Sequence, residues 1–194
     1  MNRKMLLGGF VLALGLAGCS PSDDSDDKSK DSPDAPAEVA YDMPDNFTLD
    51  PDLDEPAHAL AEKFSVETYT MDGATAFDRI AIVSYVLPKD AKTETSDEKQ
   101  ALTEEYNKAL ESDSEVDGIP NVALINGEEG VLRRAVFEDG EGNARNQDNY
   151  FLFDGPYAVQ VSCEWEAGSD EAMSAMYQAC QTVLQNLEIK QPES

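Results

Sequence analysis

The chain has 194 residues, of which 40 are acidic and 14 basic, for a formal net charge of −26 at pH 7. That charge repels phosphate backbones and excludes nucleic acid as a partner. It also repels anionic lipid headgroups, so the body is not expected to lie flat on a membrane. The field suits cations, basic partners or simple solubility in a cation-rich exterior.

A short opening, Asn2-Arg3-Lys4, precedes an apolar run from Met5 to Ala17. A membrane-crossing helix needs about 20 apolar residues. This run has instead the length of a signal h-region, with the basic residues where such a signal requires them. At its end, Leu16-Ala17-Gly18-Cys19 resembles the lipobox of a bacterial lipoprotein signal. The resemblance implies removal of residues 1–18 and a diacylglyceryl thioether on Cys19. Two acyl chains anchor stably where one does not. A plain secretory signal and an uncleaved anchor are the competing readings; the halt of the apolar run at Cys19 favours the lipoprotein. Pro21 stands where some double-membrane bacteria carry a retention aspartate. The expected location is therefore the extracytoplasmic face of the cell membrane, reached through the lipid on Cys19.

After Cys19, residues 20–38 contain no aromatic and no branched aliphatic side chain and many Ser, Asp and Pro. Such a stretch cannot bury enough apolar surface to offset the entropy of ordering, and its charges extend it. With Cys19 it is expected to form a disordered acidic tether, residues 19–38, reaching at most about 65 Å. Residues 39–190 are expected to form a single domain, and 191–194 a tail.

A short helix is expected over Pro56 to Lys63. Strands are expected over Phe64 to Thr70 and Asp78 to Leu87; the second is apolar on both faces and belongs in the sheet interior. Thr95 with Glu98 three residues on forms a capping box that opens a helix running to Leu110, with Leu102, Tyr106, Ala109 and Leu110 helically spaced. Asn121 to Asn126 and Val131 to Phe137 flank Gly127-Glu128-Glu129-Gly130, read as a hairpin turn. Tyr150 to Phe153 and Tyr157 to Trp165 flank a second turn at Asp154-Gly155-Pro156. In the latter strand Tyr157, Val159, Val161, Cys163 and Trp165 share a face. A helix starting at Ser169, with Asp170 and Glu171 in its first turn, carries an apolar stripe of Met173, Met176, Tyr177, Cys180, Val183, Leu184 and Leu187. A short strand, Leu187 to Lys190, follows. The pattern predicts an α+β domain: an antiparallel β-sheet of about six strands covered by two main helices.

With Cys19 lipidated, Cys163 and Cys180 remain, an even pair in an oxidising compartment. Cys163 faces the core from its strand and Cys180 faces the sheet from the last helix, so a disulfide would staple that helix to the sheet beside Trp165. Closing that interval is worth about 3 kcal/mol by chain entropy. A reactive redox pair would sit as C-x-x-C, which these do not.

Tyr41-Asp42-Met43-Pro44-Asp45-Asn46-Phe47 resembles the opening of PsbP-like domains, which occur in many actinobacterial lipoproteins. The close, Val183-Leu184-Gln185-Asn186-Leu187-Glu188-Ile189, is similar to their helix-then-strand finish. The resemblance spans about residues 39–190. It implies an antiparallel sheet covered by helices and a non-enzymatic role in assembly or binding. The acidic stretch Leu49 to Glu55 departs from the motif.

His58 is the sole histidine, so a metal centre of several His and Cys ligands lacks its ligands; a Ser-His-acid triad would have to use His58, no G-x-S-x-G occurs, and the residue reads as a solvated surface histidine. Phosphate-loop and dinucleotide glycine patterns are absent. Asp113-Ser114-Glu115-Val116-Asp117-Gly118 resembles the first half of a calcium loop, yet Leu124 stands where the closing Glu belongs. Glu138-Asp139-Gly140-Glu141-Gly142-Asn143 reads as an acidic hairpin tip. Arg133 and Arg134 alternate faces on their strand, open to a ligand or to neighbouring acids.

The expected function is a non-enzymatic envelope lipoprotein, a monomer with no catalytic residue, cofactor or metal, binding an envelope protein or small ligand through the sheet or its loops. A hydrolase using two carboxylates and a calcium-binding module are the alternatives.

Overall fold

The computed structural model describes residues 33–53, 60–75, 77–110, 115–138 and 144–191. Among them are nine strands and two helices: β1 (Glu38–Ala40), β2 (Phe47–Leu49), β3 (Lys63–Met71), β4 (Arg79–Val86), α1 (Ser96–Leu110), β5 (Glu115–Ile125), β6 (Glu128–Glu138), β7 (Ala144–Asp154), β8 (Tyr157–Glu166), α2 (Asp170–Gln185) and β9 (Glu188–Lys190). Seven strands form one antiparallel sheet in the order β2-β3-β4-β8-β7-β6-β5, and β1 pairs with β9 in a separate two-stranded ribbon. The α+β class holds. The expected count of about six strands is low, because β1 and β2 are three residues each and too short to show a period.

The meander from β5 to β8 folds back so that β8 docks on β4, and α1 makes the crossover from β4 to β5 at the far edge. Side chains therefore divide between two faces. Ile80, Ile82, Val159, Val161 and Cys163 point toward α2 and meet Met176, Cys180, Val183, Leu184 and Leu187. Val83, Tyr85, Phe151, Phe153 and Val131 point toward α1 and meet Tyr106 and Leu102. β4 is apolar on both sides, as its interior place requires.

Both helix starts are built as their residues dictate. The Glu98 backbone N–H donates to Thr95 Oγ1 at 3.3 Å and the Thr95 N–H donates to Glu98 Oε2 at 3.1 Å, the reciprocal bonds of a capping box. In α2 the Ala172 N–H donates to Ser169 Oγ at 3.2 Å. The Cys163–Cys180 disulfide joins β8 to α2, with Cα atoms 6.2 Å apart.

Four local expectations are corrected. The turn between β5 and β6 is Asn126-Gly127 alone, not residues 127–130: φ is 47° at Asn126 and 81° at Gly127, the conformation that a two-residue hairpin demands and that this dipeptide tolerates. β6 consequently starts at Glu128 and contains Gly130, while β5 ends at Ile125 and reaches back to Glu115, beyond the expected start at Asn121. β7 begins at Ala144 rather than Tyr150, since its polar first half pairs with β6 and β8 throughout. Of the expected helix over Pro56 to Lys63, residues 56–59 lie outside the described residues; residues 60–62 are bends and Lys63 opens β3. Met173 and Tyr177 are not core: they stand 47% and 57% exposed, because the first turns of α2 overhang a part of the sheet that no helix fills.

Candidate functional site

The overhang makes a cleft. α2 packs along β8, so the end of the α2-side face of β6 and β7 that carries Arg134, Val136, Asn146 and Asp148 is left open beside it. A cavity of about 540 Å³ results, lined by Arg134, Ala135 and Val136 of β6, Asn146 and Asp148 of β7, Trp165 of β8, and Met173, Ser174 and Tyr177 of α2. Its wall is apolar, and its polar groups are few and convergent, the usual make-up of a small-molecule site.

Those polar groups are ordered by the strand register. Arg134 and Asp148 are direct cross-strand partners, which brings Arg134 Nε to 3.3 Å from Asp148 Oδ1. The Tyr150 hydroxyl, two residues on and on the same face, also donates to Asp148. Asp148 is 8% exposed, and burial raises its pKa above the ordinary aspartate range; Arg134 and Tyr150 pull it back only in part. Burial, with the neighbouring carboxylate, pushes the Tyr150 hydroxyl up to about 12. The side chain of Arg134 is half exposed and engages Asp148 through Nε.

The opposite face of the sheet holds a second polar assembly, sealed beneath α1. Glu164 Oε1 accepts from Gln147 Nε2 at 2.7 Å, and Gln147 Oε1 accepts from Asn149 Nδ2 at 3.0 Å. Asn149 Oδ1 in turn accepts from Gln160 Nε2 at 2.8 Å. Gln160 Nε2 also donates to the Tyr106 hydroxyl at 2.9 Å, while the Tyr85 hydroxyl donates to Gln160 Oε1 at 2.6 Å. Arg79 bonds Glu164 Oε2 through Nε at 3.0 Å and pairs through its terminal nitrogen at 2.9 Å; Arg145 stands 3.6 Å from the same oxygen, over the Phe137 ring. Burial raises the pKa of Tyr85 and of Tyr106, so both stay neutral donors and acceptors. Satisfied in this way, the chain specifies how α1 sits and offers little free hydrogen-bonding capacity.

The residues singled out in the sequence fall in several places. Arg134 lines the cleft, and Arg133 is buried on the α1 side. Trp165 forms one cleft wall beside the disulfide. Cys19, His58 and residues 139–143 lie outside the described residues. So do Asp113 and Ser114, while Glu115, Val116, Asp117 and Gly118 are in β5, the first three of them paired with β6. Among the described residues no three or more His, Cys, Asp or Glu side chains are grouped to hold a metal ion. None of the helices there is long and apolar enough to cross a membrane. Asp148 and Asn146 were missed by the sequence reading, because the stretch Ala144 to Asn149 is polar at every second-position face and resembles a loop.

No family model matches the chain, and no curated protein matches its sequence. Solved structures of similar fold include a protein from Bacteroides thetaiotaomicron VPI-5482, with a TM-score of 0.51 at 10% identity, covering 79% of this chain and 46% of that one. This chain thus spans less than half of the Bacteroides protein, and the likeness is one of fold. LpqN, involved in cell envelope biogenesis of Mycobacterium tuberculosis, has a TM-score of 0.49 at 10% identity over 82% of this chain and 87% of its own. Cyanobacterial PsbP (CyanoP) from Synechocystis sp. PCC 6803 has a TM-score of 0.45 at 11% identity over 90% of this chain and 98% of its own.

Proposed function

We propose that this chain is a lipid-anchored envelope lipoprotein whose domain binds a small, largely apolar ligand in the cleft between α2 and strands β6 to β8. The observation that carries the reading is the 540 Å³ cavity with Trp165, Met173 and Tyr177 as its walls. Exposed Met and aromatic side chains around a concavity cost solvation that an apolar ligand recovers. Arg134 supplies the polar end, oriented by Asp148 and ready to donate to an oxygen of the ligand.

A binding role is favoured over catalysis by the way the cleft uses its acid. Asp148 is committed to Arg134 and Tyr150, which makes it a positioning group rather than a free proton carrier. The lipobox at Leu16 to Cys19 supports the anchor. The opening Tyr41 to Phe47 and the α2-then-β9 finish support reading the domain as PsbP-like.

Two experiments test this. Trp165 is the sole tryptophan, so its fluorescence reports on the cleft. Saturable quenching by the neutral apolar probe N-phenylnaphthylamine is expected, and it should be lost in Met173→Glu and weakened in Tyr177→Ala. Quenching that persists unchanged in both variants places the probe elsewhere and removes the cleft as the site. For the anchor, palmitate labelling should be abolished by Cys19→Ala, and labelling that survives refutes it.

A further inference from the structure

We infer that the outer edge of β5 is a docking strand for an extended, basic segment of a partner protein, distinct from the cleft. β5 ends the sheet order, and no strand among the described residues pairs with its outer side. The two-residue turn sets which of its backbone groups are free. Ile125 and Glu128 close the hairpin as a hydrogen-bonded pair, so Ile125, Ala123 and Asn121 turn their N–H and C=O groups inward to β6. The alternation then sends the N–H and C=O of Leu124 and Val122 outward.

Those same two residues carry exposed apolar side chains: Leu124 is 77% and Val122 is 52% accessible. A free edge with exposed apolar side chains is the arrangement to which an extended peptide adds, main-chain bonds supplying affinity and alternate side chains selectivity. It is also the arrangement that proteins without a partner for it usually blunt. Blunting is present only at the other end of the strand. Pro120 has no N–H to donate, and the register is irregular between Asp117 and Asn121, so the open length is confined to Val122 through Leu124.

Charge decides the occupant. Directly opposite this edge on the hairpin stand Glu128 and Glu129, both exposed, the register partners of Ile125 and Leu124. Lys99 of α1 is engaged with the Glu129 carbonyl at 3.2 Å. A second copy, itself at −26, would bring like charges and a second pair of hairpin glutamates together and is disfavoured. A strand flanked by Lys or Arg is complementary.

The test uses the full chain and a heptapeptide of alternating lysine and valine as probe, followed by amide hydrogen exchange. Binding should slow exchange at Val122 and Leu124 by about tenfold, the amides that face outward. A heptapeptide of alternating glutamate and valine should give no protection. The lysine peptide with its central valine replaced by proline should bind about tenfold more weakly. Val122→Lys/Leu124→Lys changes only exposed side chains and should abolish the protection while leaving the Trp165 quenching by N-phenylnaphthylamine intact. Equal protection by the acidic peptide, or protection that survives the double variant, overturns the inference. A dimer in solution with both amides already protected overturns it in favour of self-pairing.

Discussion

Gln160, in the middle of β8, donates from Nε2 to the Tyr106 hydroxyl in α1 at 2.9 Å, and both residues are buried. This bond is the point at which the crossover helix is keyed to the sheet. The other proton on Nε2 goes to Asn149 Oδ1. Tyr106→Phe therefore leaves one buried amide proton without an acceptor while keeping the ring contact with Phe151. A loss of about 1–3 kcal/mol is expected. Urea denaturation should show the midpoint moving with an unchanged slope.

The disulfide closes a separation of 17 residues between β8 and α2. Replacing both cysteines by alanine should cost about 3 kcal/mol through the unfolded chain, with packing losses added because both sites are buried. Cleft binding should weaken in parallel, since Trp165 and the first turns of α2 lose their common fastening. Thermal unfolding with and without reductant, compared with the double variant, measures the first effect; Trp165 quenching measures the second.

Two glycines of one hairpin should behave differently for separate reasons. Gly127 has φ 81° with open space around it, so Gly127→Ala carries only the left-handed penalty of about 1–2 kcal/mol. A Cβ on Gly130 would lie 2.4 Å from the Phe151 carbonyl oxygen and 2.5 Å from Ile125 Cδ1. The backbone atom cannot yield without opening the β6–β7 ladder, so Gly130→Ala should cost about 3 kcal/mol. Chemical denaturation of the two variants side by side should rank Gly130→Ala as the more damaging.

Burial raises the Asp148 pKa in the folded state above its unfolded value. The native protein then holds the proton more tightly, so this group contributes stability that is complete below the ordinary aspartate range and is lost as pH rises through the folded value. Asp148→Asn removes that dependence. Relative to the parent, the variant should gain ground steadily between acid and neutral pH, which stability curves at several pH values would show. A constant difference across that interval would contradict the burial-driven shift.

How far the sequence was legible depends on the range over which its forces act. Caps are local chemistry, and Thr95, Glu98 and Ser169 were readable because each bond closes within one helical turn. The apolar alternation of β4 and β8 was readable because both strands are buried among hydrophobic neighbours. The first half of β7 was not, since its side chains Gln147 and Asn149 are satisfied by Gln160 and Glu164 from another strand. Polar residues that find each other in space look like a loop in a list. Met173 and Tyr177 were read as core for the converse reason: their helical spacing is right, but the layer they would cover is missing at that end of the sheet. The cleft is therefore visible only once strand order is known.

The pairing of Glu38 with Lys190 has a mechanical consequence. The polypeptide arrives at β1 and departs from β9 at the same spot, with the two segments running in opposite directions. Tension applied between these two points would load the rungs of the ribbon one at a time, as a zipper, beginning with Glu38 and Lys190. A tug on the folded body from both sides would thus release a few residues of slack at the ribbon first.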